Sequence, residues 1–258
     1  VAKMHTESGR PYFSFYIGAD EKNSTMNLLQ MYQGGLSMGD RDYYLLDDEK
    51  TKSIRDAYRT FVNKLFVLAG YSVEDADVAT NYVLDLETRI AEISYTRGEL
   101  RDVHKNYNKM PIDEFKKRYD FINWDIYFKN VGIKNSTELD AKQIGFFEGM
   151  NKVFKKTSLD QHKAYMTFKL LASAASYLSD DFVNANFEFY GKTLQGTQEL
   201  QPLWKRSLSV VNRSLSEAVG QLYVEKYFPA SSKEKMLEMV SNLQVALGER
   251  INALEWMS

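Results

Sequence analysis

The chain has 258 residues, 44% hydrophobic and 26% charged, and its 33 Lys plus Arg against 35 Asp plus Glu leave a formal charge of −2. This is ordinary soluble globular chemistry, which excludes disulfides and cysteine-based metal sites because cysteine is absent, and disfavours a nucleic-acid partner, which calls for a basic face. No apolar run reaches the ~18 residues that cross a bilayer, since even residues 170–178 are interrupted by Ser173 and Ser176, so no membrane span is expected.

With 14 Gly, 4 Pro and no linker rich in Gly, Ser or Pro, residues 1–258 read as a single domain. The start at Val1, without an initiator Met or an apolar leader, predicts a chain processed or cut from a longer one. Residues 12–33 predict a β-hairpin. Tyr12 to Ile17 are rich in aromatics, Asn27 to Gln33 are apolar, and Gly18 to Asn23 predict a long loop between the two strands. Gly34 and Gly35, followed by Gly39, form neither a Walker loop nor a dinucleotide fingerprint, and predict the hairpin's end at positive φ.

Helices are predicted over residues 47–258. After Asp47 and Asp48, the residues Ile54, Tyr58, Phe61, Leu65 and Leu68 step at helical spacing up to a stop at Gly70. Ser72 predicts an N-cap for a helix carrying Val83, Leu86, Ile90 and Ile93. Pro111 suits a first helical turn, and the aromatic run Phe121 to Phe128 a short helix. The helical pattern then runs through Ile144 to Phe154, Tyr165 to Leu178 and Phe182 to Leu194. Two long elements close the chain. One carries Leu208, Val211, Leu215, Val219 and Leu222; the other carries Met236, Val240, Leu243, Leu247, Ile251 and Leu254. A break at Phe228 and Pro229 divides them, with Ser231 or Ser232 as the N-cap. The fold class is mainly α, a multi-helix domain with one short N-terminal β-hairpin, and no repeat of solenoid length is present.

His5, His104 and His162 are far apart and none forms an i, i+4 pair, so no helical H-E-x-x-H zinc site exists, and the three are expected at the surface. Nucleophile elbows and Cys–His pairs are absent. The acidic pairs Asp47-Asp48 and Asp180-Asp181 are read as helix caps and first-turn acids. Arg97, Arg101, His104 and Lys105, near Tyr95 and Tyr107, are interleaved with Glu99 and Asp102 and are read as a loop latched by local ion pairs rather than an anion site. Asn23, Asn135 and Asn212 head glycan-acceptor triplets, which are not expected to be used. These residues predict no self-contained site: no catalytic, no cofactor-binding and no metal-binding residue is assigned.

Several longer strings are more specific than composition. Tyr16 to Ser24 and Gln33 to Tyr44 come first, then Leu86 to Ala91 with Arg101, Asp102 and Tyr107 to Met110. Trp204 to Arg206, Val211-Asn212, Glu217 to Glu225 and Leu254 to Met257 follow. In this order they resemble the neprilysin family of zinc metalloendopeptidases, with its endothelin-converting enzymes and PepO-type bacterial oligopeptidases, over about residues 12–258.

The resemblance implies the helical N-terminal domain of a longer peptidase. The family's zinc ligands and its Asn-Ala-x-Tyr strand correspond to positions beyond Ser258, and its carboxylate-binding arginine to a position before Val1. Asn184-Ala185-Asn186-Phe187 is not that strand, because it lies in a predicted helix and ends in Phe. The implied function is therefore non-catalytic: this part would wall an internal cavity and restrict which peptides reach a catalytic zinc domain that the segment lacks. No cofactor is expected here, and zinc belongs to that other domain, the expected partner in cis. A bacterial source and an extracytoplasmic location, periplasmic or cell-surface, are also implied. The alternative is a free-standing helical binding module without peptidase activity.

Overall fold

A computed structural model of the chain describes residues 1–7 and 9–256. It contains two compact units, residues 1–200 and 201–258. The first begins with a short helix, α1 (Ala2–Glu7), which has no period in the sequence to announce it, and continues into strands β1 (Phe13–Asp20) and β2 (Asn23–Gln33). The expected hairpin is present, but its loop is not long. Gly18, Ala19 and Asp20 continue β1, and only Glu21 and Lys22 link the strands. The extra residues are absorbed as a bulge, with Ala19 opposite Asn27 and Asp20 opposite Asn23, and Asp20 accepts from the Lys22 N–H at 2.9 Å to hold the turn.

Helices α2 (Asp42–Leu45), α3 (Glu49–Leu68) and α4 (Val73–Ile93) follow. The starts of α3 and α4 are those the sequence predicts, whereas α2 lies before the predicted helical region. Asp48 accepts from the Thr51 N–H, Ser72 accepts from the Asp75 N–H, and Gly70 leaves α3 at a φ of +92°. After α5 (Arg97–Leu100) comes strand β3 (Lys109–Pro111). Pro111 thus closes a strand and stands just before α6 (Ile112–Arg118), rather than inside its first turn. Asn123 caps α7 (Trp124–Asn130), and β4 (Glu138–Ala141) completes a four-stranded sheet in the order β1-β2-β4-β3. The hairpin is therefore half of a sheet, in which β2 and β4 run parallel with Leu29 opposite Leu139.

The unit ends with α8 (Ile144–Lys156), α9 (Leu159–Ala174), a 3-10 turn (Ala175–Tyr177) and α10 (Asp180–Asn186). At Phe187 the helix widens into a π-helix, Phe187–Leu194, where the sequence pattern suggests one continuous α-helix.

Two cores result. One joins the sheet to α6, α7 and α8 through Phe13, Met31, Phe115, Trp124, Phe147 and Met150. The other joins α3 to the π-helix through Tyr58, Phe61, Phe66 and Phe189. Helix α4 feeds both, with Leu86 and Ile90 in the first and Ala76, Ala79 and Val83 in the second, and α9 does likewise through Tyr165 and Phe168. Gly149 of α8 permits the close approach of α4, since a Cβ there would stand 2.6 Å from the Ile93 side chain.

The second unit holds α11 (Leu203–Ser214), α12 (Ser216–Tyr227) and α13 (Ala230–Asn252). The first of the two expected terminal elements is thus broken at Leu215, whose φ of −127° leaves the helical region. No serine caps α13; Pro229 occupies that position without a side-chain bond.

Candidate functional site

The residues singled out by chemistry are not brought together. His5 and His162 are half-buried rather than at the surface, and only His104 is exposed. The Nε2 of His5 faces the Pro11 carbonyl at 2.8 Å, and its Nδ1 faces the Tyr127 hydroxyl at 2.6 Å. A carbonyl can only accept, so Nε2 carries the proton and Nδ1 accepts from the phenol. Burial, more than any neighbouring charge, lowers the His5 pKa to about 4. His162 pairs with the Tyr12 hydroxyl at 2.9 Å, and burial lowers its pKa as well. Among the described residues no three His, Asp or Glu side chains converge as a metal site. Both ring nitrogens of His5 and the Nδ1 of His162 are engaged by protein partners.

The acids and bases hold local structure. Asp48 accepts from both the backbone and the hydroxyl of Thr51, while Asp180 and Asp181 open α10. Arg97 pairs with Asp40, and Lys105 reaches Glu99 at 2.8 Å, within a capping box formed by Thr96 and Glu99. The Lys105 hydrogen bond leads the causes that hold the Glu99 carboxyl down at about 2. The segment is latched by local ion pairs, as its mixed charge suggests. Asn184 to Asn186 lie in α10, so they form no substrate-holding strand.

The most concentrated polar chemistry lies around a residue that pattern reading passed over. Glu87 is wholly buried, and it accepts hydrogen bonds from Ser37, Tyr44 and Tyr58, each at 2.6 Å. The signal was present: Glu87 follows Val83 by four and precedes Ile90 by three, so a carboxylate occupies the apolar stripe of α4. Burial first, and the Glu87 charge second, push the Tyr44 and Tyr58 hydroxyl pKa values well up, so both phenols remain donors.

Around this carboxylate the connection from β2 to α2 is clamped from several sides. The Gly35 carbonyl accepts from the Tyr165 hydroxyl at 2.7 Å and from Lys169 Nζ at 3.3 Å. Lys169 also donates to Ser37 Oγ at 3.1 Å, Tyr190 donates to the Ser37 carbonyl at 3.2 Å, and the Met38 N–H donates to Tyr44. Burial lowers the Lys169 pKa, and the Glu87 charge opposes that shift. Gly35 has a φ of +90°, and a Cβ there would meet the Tyr12 backbone at 2.9 Å. The carboxylate's acceptors are filled by side chains of its own domain. This geometry orders a connection; it does not offer a base to a substrate.

The second unit presents surface of a different kind. Among the described residues 201–256 none is buried. The stripes read from sequence are there, but they face outward: Leu222 is 69% exposed, Leu243 60% and Leu247 59%. Helices of this sort owe most of their stability to burying such stripes, and a soluble chain rarely leaves so much contiguous apolar surface open.

The sequence profile of peptidase family M13 matches residues 1–258. Endothelin-converting enzyme 1 of Homo sapiens is 29% identical over 253 residues, covering 96% of this chain and 33% of that protein. Endothelin-converting enzyme-like 1 of Mus musculus is 27% identical over 255 residues, covering 97% of this chain and 32% of that protein. The chain thus spans about a third of the length of the curated relatives it matches. Among solved structures, the zinc metalloprotease Zmp1 of Mycobacterium tuberculosis in complex with an inhibitor matches with a TM-score of 0.88 at 27% identity, over 100% of this chain and 39% of that one. PepO from Lactobacillus rhamnosis shares the fold, with a TM-score of 0.80 at 19% identity, over 100% of this chain and 41% of that one.

Proposed function

The chain belongs to peptidase family M13, and from that premise we propose that it serves as the non-catalytic N-terminal domain of a zinc-dependent metalloendopeptidase that cleaves peptides. In this reading it folds as one domain in the whole protein, walls the internal cavity, and limits which peptides reach the zinc. Its partner is the catalytic domain of the same polypeptide, which supplies the metal, the water it activates and the groups that hold the peptide backbone. Clefts that exclude folded proteins select by size, a property that needs no reactive residue in the wall. By the same kinship the enzyme works outside the cytoplasm; no helix of the described residues is long and apolar enough to cross a membrane.

The observation that carries the reading is the outward-facing apolar stripe of α11, α12 and α13. In the relatives a further two thirds of the polypeptide is available to cover such a surface. Hydrogen exchange tests it, comparing the full-length protein with residues 1–258 alone. Amides of α13 are expected to be protected only in the full-length protein, and peptide cleavage to be confined to it. Equal exchange in both, with Leu243→Ser and Leu247→Ser neutral for full-length folding, would favour the free-standing binding module instead.

A further inference from the structure

Helices α3 and α10 lie side by side and line an open cavity of about 500 Å³, a volume within the range of small-molecule sites. The lining residues include Ala57, Thr60, Phe61 and Lys64 of α3 on one side, and Asp181, Asn184 and Ala185 of α10 with Glu188 of the π-helix that continues it on the other. The floor is aromatic. Phe61 and Phe189 stack with centroids 5.2 Å apart and planes 11° from parallel, and both are almost wholly buried.

The rim carries unspent polar groups. Glu188 is ion-paired with Lys192 at 3.2 Å, and the Thr60 and Thr193 hydroxyls donate to their own helices' carbonyls. Lys64, Asp181 and the Asn184 amide are different: among the described residues their side chains have no hydrogen-bond or ion-pair partner. One cation, one anion and one amide therefore surround an aromatic floor. One wall continues into the π-helix Phe187–Leu194, which carries Phe189 to the floor, and such widened turns recur at functional sites.

We propose that this groove binds a small zwitterion with an apolar side chain, an amino acid or the end of a short peptide. Its carboxylate meets Lys64, its ammonium meets Asp181 with the Asn184 carbonyl oxygen assisting, and its side chain lies on the Phe61 and Phe189 rings. With Glu188 answered by Lys192, the unpaired charges of the rim are one of each sign, so a ligand carrying one of each is matched, and a ligand with only one leaves a rim charge unanswered. A ligand of this size is expected to bind at about millimolar strength.

The test is fluorine NMR on the full-length protein with 4-fluorophenylalanine as the probe. Saturable binding is expected, weakened about tenfold in Lys64→Ala and about tenfold in Asp181→Asn, one charge-assisted contact each. Unlabelled phenylalanine should displace the probe. Phenylalaninamide, without the carboxylate, and 3-phenylpropionate, without the amine, should displace it about tenfold less well. Both substitutions lie at exposed positions, so unchanged melting curves will separate lost binding from lost folding. No saturable binding, binding that both variants retain in full, or displacement by either truncated analogue as strong as by phenylalanine would overturn the assignment.

Discussion

The hydroxyl of Ser37 donates to the carboxylate of Glu87 across 2.6 Å, joining the connection after the hairpin to a helix fifty residues further along the chain. Ser37 accepts from Lys169 at the same time, so a cation, a hydroxyl and a carboxylate form a line through the region where α4 and α9 pass between the two cores. Every donor toward Glu87 is itself held by packing. Removing the carboxylate should therefore leave buried donors short of acceptors.

Glu87→Gln keeps the volume but replaces one acceptor oxygen by an NH₂ group, so Ser37 or the tyrosine pair must face a donor. A loss of about 2–4 kcal/mol is expected, read as a lowered urea midpoint at unchanged slope. An unaltered midpoint would mean that water replaces the missing acceptor.

Lys169 and Glu87 should be coupled rather than additive. Lys169→Met alone leaves the buried carboxylate without a buried cation that senses its charge, yet in a Glu87→Gln background there is less for that cation to answer. A double-mutant cycle from denaturation curves is expected to give about 1–3 kcal/mol of interaction. A value near zero would show that the two charges do not sense each other through Ser37.

Gly149→Ala inserts a methyl group 2.6 Å from Ile93 at a buried helix crossing. Both partners sit on long helices packed on two sides, so neither can retreat cheaply. Overpacking of this kind costs about 1–3 kcal/mol. Pairing it with Ile93→Ala, which removes the nearest atom, Cγ2, should restore part of the loss, whereas Gly220→Ala, with open space at the Cβ position, should not destabilise.

Stability should fall with acid partly through His5. Its native pKa of about 4 lies below the ~6.5 of an unfolded histidine. The unfolded chain therefore takes up the proton first, and this residue's contribution is complete above about pH 6.5 and lost as the pH falls towards 4. Protonation also removes the Nδ1 lone pair that accepts from Tyr127. Melting curves of wild type and His5→Gln across that window should converge towards acid pH; parallel curves would exclude His5 as a contributor.

Much of this architecture is legible from the order of side chains. The stripe from Ile54 to Leu65 is buried in the second core, and Asp48 and Ser72 cap their helices as their positions suggest, because caps and amphipathic faces are local properties. What escapes is non-local. Strand β4 is four residues long and acquires its identity only from β2 and β3, which it meets across long stretches of chain. The split at Leu215 has neither glycine nor proline to mark it. Glu87 escapes pattern reading because charge at a stripe position is normally solvated, and only the fold shows the two tyrosines and the serine that satisfy it. The three rim groups over Phe61 and Phe189 are likewise unreadable without the fold, since they come from helices far apart in sequence.

The parallel pairing of β2 with β4 sets a timetable for synthesis. The hairpin can close as soon as Gln33 has emerged, but the far edge of β2 finds its partner only after Leu139 and Ala141 have been made. At about 5–20 residues per second, a ribosome leaves that edge open for several seconds, with Leu29 and Met31 uncovered. A nascent chain of this protein thus carries an unpaired strand edge during a defined interval, which ends when β4 arrives.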